Sequence, residues 1–110
     1  MYDIQNLSKV YRKSGKAVYA LDNLTTEIAA GEFLVLHGAS GSGKSTLLLI
    51  LGGMLSPSSG AVRCNGLDLY AGSSAARNRF RRSSVGFIFQ QFHLMPYLTA
   101  RDNIRIPLSL

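Results

Sequence analysis

Apolar and polar residues alternate along much of the first thirty positions, which is the pattern of half-buried β-strands. Tyr2 to Tyr11 mixes both kinds with strand-forming residues, and Lys13 to Lys16 is a turn signal. Ala17 to Leu21 then returns, and Leu24 to Ile28 alternates with a period of two residues. The sequence therefore predicts an antiparallel β-subdomain in this part of the chain.

Two apolar runs have no polar face at all. Phe33 to Leu36 and Val85 to Phe89 are continuous enough to predict strands buried on both sides of a parallel sheet. Between them, Ser45 to Leu51 is rich in leucine and lacks strand alternation, which predicts a buried helix ended by Gly52 and Gly53. Strands and helices in this order indicate an α/β fold.

The remaining elements follow from turn and capping residues. Asn65-Gly66 is a tight-turn pair between a predicted strand at Ala61 to Cys64 and a return strand at Leu67 to Tyr70. A helix is expected at Ser73 to Arg82. Another is expected to begin at the capping box of Thr99 to Asp102.

Composition indicates the class of protein but does not distinguish between possible functions. The 110 residues are enough for one small domain, and 46% hydrophobic with 16% charged residues indicates a globular chain. The net charge of +6 suits nucleic acid, an anionic membrane surface or phosphate ligands alike. Cys64 is the single cysteine, and the longest apolar run, Leu47 to Leu55, is far shorter than the roughly 20 residues that span a bilayer.

The strongest chemical signal is a glycine-rich segment at residues 38–45, G-A-S-G-S-G-K-S, which matches the phosphate-binding pattern G-x-x-x-x-G-K-[ST]. Glycines let backbone N–H groups turn inward and approach a phosphate without Cβ clashes. The helix that follows points its positive end at the same place. The predicted nucleotide-binding residues in this segment are Gly38, Ser40, Gly41, Ser42, Gly43, Lys44, Ser45 and Thr46.

Residues 38–48 resemble the Walker A loop of the ATPases of ABC transporters. The segments at 30–32, 56–60 and 85–90 also fall where that family has similar residues. Residues 92–96 and 98–104 resemble the subgroup that serves lipoprotein-releasing and macrolide-export transporters. The resemblance covers essentially all of residues 1–110. It implies a P-loop (RecA-like) core beside the antiparallel β-subdomain, with Walker A at 38–46 and the Q-loop from 90, as the N-terminal half of an ATP-binding domain.

The resemblance also implies roles for single residues, with ATP and Mg²⁺ as the bound species. Tyr11 matches the aromatic residue that stacks on adenine, although Tyr2 and Tyr19 are close in sequence. Gln90 matches the Q-loop glutamine that reaches Mg²⁺ or the attacking water, with Gln91 as a one-residue alternative. The residues implied in catalysis are Lys44 and Gln90. The residues implied in metal binding are Ser45 and Gln90.

Partners follow from the same resemblance. The segment Gln91 to Tyr97 would contact a transmembrane permease subunit, and a second ATP-binding subunit would complete a dimer. Such a protein acts from the cytoplasm, at the inner face of the cell membrane. The signature L-S-G-G-Q, the Walker B carboxylates and the switch histidine do not occur in residues 1–110. We therefore expect this chain to lack efficient hydrolysis, and neither His37 nor His93 is expected to be catalytic.

Other functions stay open at this point. The chain could be a nucleotide-binding module without catalysis, or a truncated regulator. A GTPase would need an N-K-x-D segment, which the sequence does not contain. The four arginines between Arg77 and Arg82 could bind nucleic acid or lipid headgroups, but a solvated helix face is the favoured interpretation and nucleic acid is not an expected partner. The transported substrate is not predicted, although the subgroup favours export or lipoprotein release.

Overall fold

A four-stranded antiparallel sheet is the largest unit of the fold. The computed structural model describes residues 1–109. The four strands are β1 (Tyr2–Lys13), β2 (Lys16–Ile28), β3 (Ser59–Cys64) and β4 (Leu67–Asp68), and they lie in the order β2-β1-β3-β4. The predicted antiparallel β-subdomain is therefore confirmed.

The β1–β2 hairpin closes at the predicted turn. Ser14 and Gly15 both have positive φ, at 52° and 76°, and Lys13 pairs with Lys16. The two strands predicted after this turn are one continuous strand, β2, because register shifts along β1 absorb the irregular residues between them. One of these shifts lies between Lys9 and Val10.

The second hairpin turns at Asn65-Gly66, where both residues have positive φ, at 48° and 83°. This is the geometry for which an Asn-Gly pair is favoured. The return strand ends earlier than predicted. The side-chain oxygen Oδ1 of Asp68 accepts hydrogen bonds from the backbone N–H of Tyr70 and of Ala71, both at 3.0 Å, and turns the chain away from the sheet.

Three helices complete the described part of the chain: α1 (Lys44–Leu51), α2 (Ser74–Ser84) and α3 (Ala100–Ser109). Each starts close to its predicted position. The Ser73 hydroxyl caps α2 by accepting from the Ala76 N–H at 3.3 Å, and the Thr99 hydroxyl caps α3 by accepting from the Asp102 N–H at 3.1 Å.

The core lies between the sheet and α1. The strands contribute fully buried aliphatic side chains, α1 contributes two more from its inner face, and an aromatic ring from α2 closes the cluster. Burial of this apolar surface holds α1 against β1 and β3 and so fixes where its N-terminus points. The core residues are Ile4, Leu7, Leu47, Ile50, Val62, Leu69 and Phe80.

The two predicted buried strands of a parallel sheet are wrong for residues 1–109. Residues 33–36 and 85–89 have no regular secondary structure, and Phe33 and Ile88 are 92% and 97% exposed. A strand forms only when a neighbour pairs with its backbone N–H and C=O groups. Within residues 1–109 neither segment belongs to the sheet, and of their apolar side chains Leu36 and Val85 are partly buried against the core while Phe33 and Ile88 are exposed.

Candidate functional site

The glycine-rich loop leads directly into an uncapped helix. Helix α1 begins at Lys44, its N-cap is Gly43, and no side chain bonds to the free N–H groups of its first turn. That turn also contains no acidic residue. The unpaired N–H groups and the helix dipole, roughly half a positive charge, therefore remain available to an anion.

Two glycines of the loop make close contacts. A Cβ on Gly43 would lie 2.1 Å from the carbonyl oxygen of Ala20, and Gly43 has a φ of 95°. A Cβ on Gly38 would lie 2.6 Å from the hydroxyl oxygen of Ser42. The loop is thus packed against β2 at one glycine and against itself at the other. Position 43 requires glycine, whereas a Cβ at position 38 would require the Ser42 side chain to move.

The ammonium group of Lys44 is held by the loop itself. Its Nζ donates hydrogen bonds to the carbonyl oxygens of Gly38 and Ala39, both at 2.7 Å, and to the hydroxyl oxygen of Ser42 at 3.1 Å. These contacts fix a full positive charge beside the N-terminus of α1. The charge and the helix end therefore lie side by side.

An open cavity of about 460 Å³ lies over this loop. It brings together most of the predicted nucleotide-binding residues, and it adds Gln90, which is distant in sequence. The Ser45 and Gln90 side chains, the two predicted metal ligands, border the same cavity. The cavity is lined by Ala20, Ser40, Gly41, Gly43, Lys44, Ser45, Thr46 and Gln90.

Three predicted residues do not line this cavity. Gly38 and Ser42 lie behind the loop, where they contact Lys44. Tyr11 lies on β1 opposite Val18; its ring is 43% exposed, and Lys9 Nζ lies 5.3 Å from the ring centroid. Stacking of Tyr11 on adenine stays a prediction.

The two alternatives to Tyr11 differ in their surroundings. The Tyr2 hydroxyl donates to the carbonyl oxygen of Leu51 at 3.0 Å, so this side chain is used in holding α1. Tyr19 is 59% exposed. Of the three rings, Tyr2 is thus the one already engaged elsewhere in the fold.

The C-terminal end of α1 is tied by side chains that the sequence pattern did not reveal. Besides Tyr2, the Tyr70 hydroxyl lies 2.5 Å from the carbonyl oxygen of Ile50 and 2.8 Å from that of Leu55. The Arg81 guanidinium donates to the carbonyl oxygen of Gly53 at 2.7 Å. These groups donate to carbonyl oxygens at and just beyond the helix end, and that of Ile50 also accepts from the Gly53 N–H at 3.0 Å. Alternation had predicted only that the tyrosines belong to strands.

Both tyrosine hydroxyls are stabilised in their neutral form. Partial burial raises the pKa of Tyr2 to about 12, with further contributions from Cys64 and Tyr70. Burial also raises the pKa of Tyr70 to about 12, although the positive charges of Arg77 and Arg81 act in the opposite direction. A neutral hydroxyl can donate to a carbonyl oxygen, whereas a phenolate cannot.

The arginines of α2 divide into two pairs. Arg77 lies over the Tyr70 ring, 5.5 Å from its centroid, and Arg81 bonds to Gly53. Arg79 and Arg82 are exposed. The predicted solvated face therefore describes the second pair, while the first pair helps to join α2 to the end of α1.

The two histidines lie apart from the cavity wall. His37 borders a separate, smaller cavity behind the loop, together with Leu21 and Leu47. His93 packs its ring edgewise on Phe89, with centroids 4.9 Å apart. Neither side chain lines the cavity over the loop.

The residues of the cavity suit a magnesium–nucleotide complex. The uncapped helix end, the ammonium group and the space left by the glycine side chains fit the oxygens of a phosphate chain. The Ser45 hydroxyl and the Gln90 amide are oxygen donors of the kind that Mg²⁺ accepts. Within the described residues, no group of three or more His, Cys, Asp or Glu side chains could hold a metal ion. No helix in residues 1–109 combines the length and the hydrophobicity needed to cross a membrane.

Residues 21–108 match the family described as ABC transporter, so the chain belongs to this family. Its structure is similar to that of the ATP-binding cassette MJ0796, solved as a dimer in a post-hydrolysis state with ADP and Pi. The TM-score is 0.92 at 38% sequence identity, covering 99% of this chain and 47% of that one. The match confirms the predicted fold class, the N-terminal part of such a cassette.

Two curated relatives illustrate the range of the family. The chain is 42% identical over 110 residues to LolD of Geobacter metallireducens, a lipoprotein-releasing system ATP-binding protein, covering 100% of this chain and 49% of that protein. It is 44% identical over 103 residues to HrtA of Staphylococcus haemolyticus, whose name refers to hemin import, covering 94% and 46%. The chain thus spans about half the length of the curated relatives it matches. One name refers to lipoprotein release and the other to hemin import.

Proposed function

We propose that this chain binds the phosphates of Mg-ATP over residues 38–46 and serves as the ATP-binding part of an ABC transporter. One observation carries the proposal: the Lys44 ammonium, the uncapped start of α1 and the side chain of Gln90 meet at one cavity. Each of these features favours a phosphate or its metal ion. Their meeting at one place is what a bound nucleotide requires.

Each group has a distinct task in this proposal. The backbone N–H groups of residues 41–46 and the ammonium of Lys44 neutralise the phosphate oxygens. The hydroxyls of Ser45 and Thr46 lie at the start of α1, and Ser45 and Gln90, which border the same cavity, would hold Mg²⁺. A bound Mg²⁺ would supply positive charge that offsets the charge of the phosphates. Tyr11 would offer its exposed ring to the adenine.

Hydrolysis by this chain alone is expected to be slow. The residues that border the cavity include no Asp or Glu, so the cavity wall holds no carboxylate to orient the attacking water. Phosphoryl transfer depends on such positioning together with metal and charge. This observation favours the second candidate function, a nucleotide-binding module without efficient turnover, for the chain in isolation.

The partners that we propose are those of the family. Gln91 to Tyr97 would face a transmembrane permease, which would hold the chain at the inner face of the cell membrane, and a second ATP-binding subunit would complete a dimer. Exposed apolar side chains support a protein partner at this segment, since Phe92 is 88% exposed and Tyr97 is 80% exposed. Export or lipoprotein release is the direction that we propose.

Titration calorimetry of the chain with ATP, with and without Mg²⁺, tests the binding. We expect Mg-dependent heat that is lost in Lys44→Ala, because the ammonium is the one full positive charge on the cavity wall. Lys16→Ala, in the β1–β2 turn region, is the matched control and should bind as the unmodified chain does. Equal heats for Lys44→Ala and the unmodified chain would contradict the proposal.

A further inference from the structure

We propose that the Ser42 hydroxyl is an exchangeable ligand of the Lys44 ammonium. In the free loop it occupies the third N–H of Lys44, and it yields this place to a phosphate oxygen when nucleotide binds. The inference rests on the proposed nucleotide binding and adds a competing role for a residue that the sequence pattern predicted to be a direct contact.

An ammonium group has three N–H donors and no acceptor. At Lys44 all three have partners: the carbonyl oxygens of Gly38 and Ala39 at 2.7 Å, and the Ser42 hydroxyl at 3.1 Å. All three N–H groups of the Lys44 ammonium are therefore already hydrogen-bonded within the loop. A phosphate oxygen that needs a direct bond from Lys44 must displace one of these acceptors.

The absence of a side chain at Gly38 leaves space for the Ser42 hydroxyl. A Cβ on Gly38 would lie 2.6 Å from the Ser42 oxygen and 3.3 Å from its Cβ, so only a glycine at position 38 leaves the hydroxyl in place. The backbone N–H of Ser42 also donates to the carbonyl oxygen of Ala39 at 3.1 Å. The hydroxyl is thus held toward Lys44 by the fold of the loop.

Among the three acceptors, the Ser42 hydroxyl is the one that can leave. The two carbonyl oxygens belong to the backbone and lie closer, whereas the hydroxyl lies at the longest distance and turns about its Cα–Cβ bond. Position 42 is exposed, so water can bond to the hydroxyl once it is released. A charged phosphate oxygen is also a stronger acceptor than a neutral hydroxyl.

This exchange determines whether removal of the Ser42 hydroxyl strengthens or weakens the binding of Mg-ATP. Removing the hydroxyl removes a competitor of the phosphate for the Lys44 ammonium, so Ser42→Ala should bind Mg-ATP more tightly. We expect roughly a two- to fivefold lower Kd, which corresponds to part of a typical hydrogen bond. A hydroxyl that contacted phosphate directly would give the opposite sign.

The experiment is a double-mutant cycle read by calorimetry with Mg-ATP. Ser42→Ala is compared with the unmodified chain, and again in the Lys44→Ala background, where the gain should disappear because the ammonium is gone. Ser42→Thr keeps a hydroxyl and should restore the original affinity. Ser40→Ala, in the same loop but without a bond to Lys44, should not tighten binding.

Weaker or unchanged binding in Ser42→Ala would overturn the inference. So would a gain that persists without Lys44, or an equal gain in Ser40→Ala. Circular dichroism checks that each variant is folded, and Ser42→Gly, which also lacks the hydroxyl, replaces the alanine variant if that one does not fold. Failure of the unmodified chain to bind Mg-ATP would instead defeat the proposed function.

Discussion

The phenol oxygen of Tyr70 lies 2.5 Å from the carbonyl oxygen of Ile50, at the end of α1 opposite the glycine-rich loop. The same oxygen lies 2.8 Å from the carbonyl oxygen of Leu55. One hydroxyl therefore joins the segment after β4 to the C-terminal turn of the helix that begins at Lys44. Contacts at one end of α1 thus help to set the direction of its other end, where the candidate phosphate site lies.

Tyr70→Phe should lower the free energy of unfolding by about 1–2 kcal/mol, because the carbonyl oxygen of Leu55 would lose this donor and that of Ile50 would be left with the Gly53 N–H. Urea titration followed by circular dichroism measures this change. The control is Tyr19→Phe, which removes the hydroxyl of a ring that is 59% exposed and should have little effect. Equal stability of the two variants would show that the Tyr70 hydroxyl does not hold α1.

Stability should also fall steeply in alkaline solution. The pKa of Tyr2 and that of Tyr70 are each raised from 10 to about 12 in the folded chain. Because the folded value lies above the unfolded value, the stabilising contribution is complete below pH 10. It is lost progressively as pH rises from 10 to 12.

Urea titrations at about pH 8, 10 and 11.5 test this dependence, because these values lie below, at and above the unfolded pKa of 10. The double variant Tyr2→Phe/Tyr70→Phe should be less stable at pH 8 but should lose less between pH 10 and 11.5. Lysines titrate in the same range in both proteins and so cancel in the comparison. Parallel pH curves for the two proteins would refute the assignment.

Gly43→Ala should destabilise the chain by roughly 3 kcal/mol or more, since it combines strain at positive φ with a clash against backbone. The new Cβ would lie 2.1 Å from the carbonyl oxygen of Ala20. Gly86→Ala is the matched control, because a Cβ there meets nothing within 4 Å. Thermal unfolding of both variants measures the difference. A Gly43→Ala protein as stable as Gly86→Ala would contradict this packing of the loop on β2.

Local signals in the sequence predicted much of this fold. The Asn65-Gly66 turn and the hydroxyl cap at Thr99 depend only on neighbouring residues, and the structure has them where they were expected. The glycine pattern of residues 38–45 likewise specifies a loop and a helix start. In each of these features the interacting residues lie within a few positions of one another in the sequence.

Features that depend on distant partners were predicted less well. Phe33 to Leu36 has the composition of a buried strand, but a strand needs a neighbour that these residues cannot supply themselves. The bond from Tyr70 to Ile50 joins positions that no local pattern connects. Gln90 was predicted at the site only through the family resemblance, because nothing in a strand followed by glutamine indicates which cavity that glutamine borders.

Gln90→Ala should weaken the binding of ATP in the presence of Mg²⁺ by roughly three- to tenfold, the size expected for one lost hydrogen bond or ligand contact. Binding of ATP without Mg²⁺ should change little, because the loop and Lys44 hold the phosphates by themselves. Gln91→Ala is the control, since Gln91 is not among the residues that line the cavity. The pair also decides between the two glutamines as the Q-loop residue. If Gln91→Ala lost the Mg²⁺ dependence and Gln90→Ala kept it, Gln91 would be the Q-loop glutamine. The cavity wall formed by Gln90 and Ser45 would then not be the metal site.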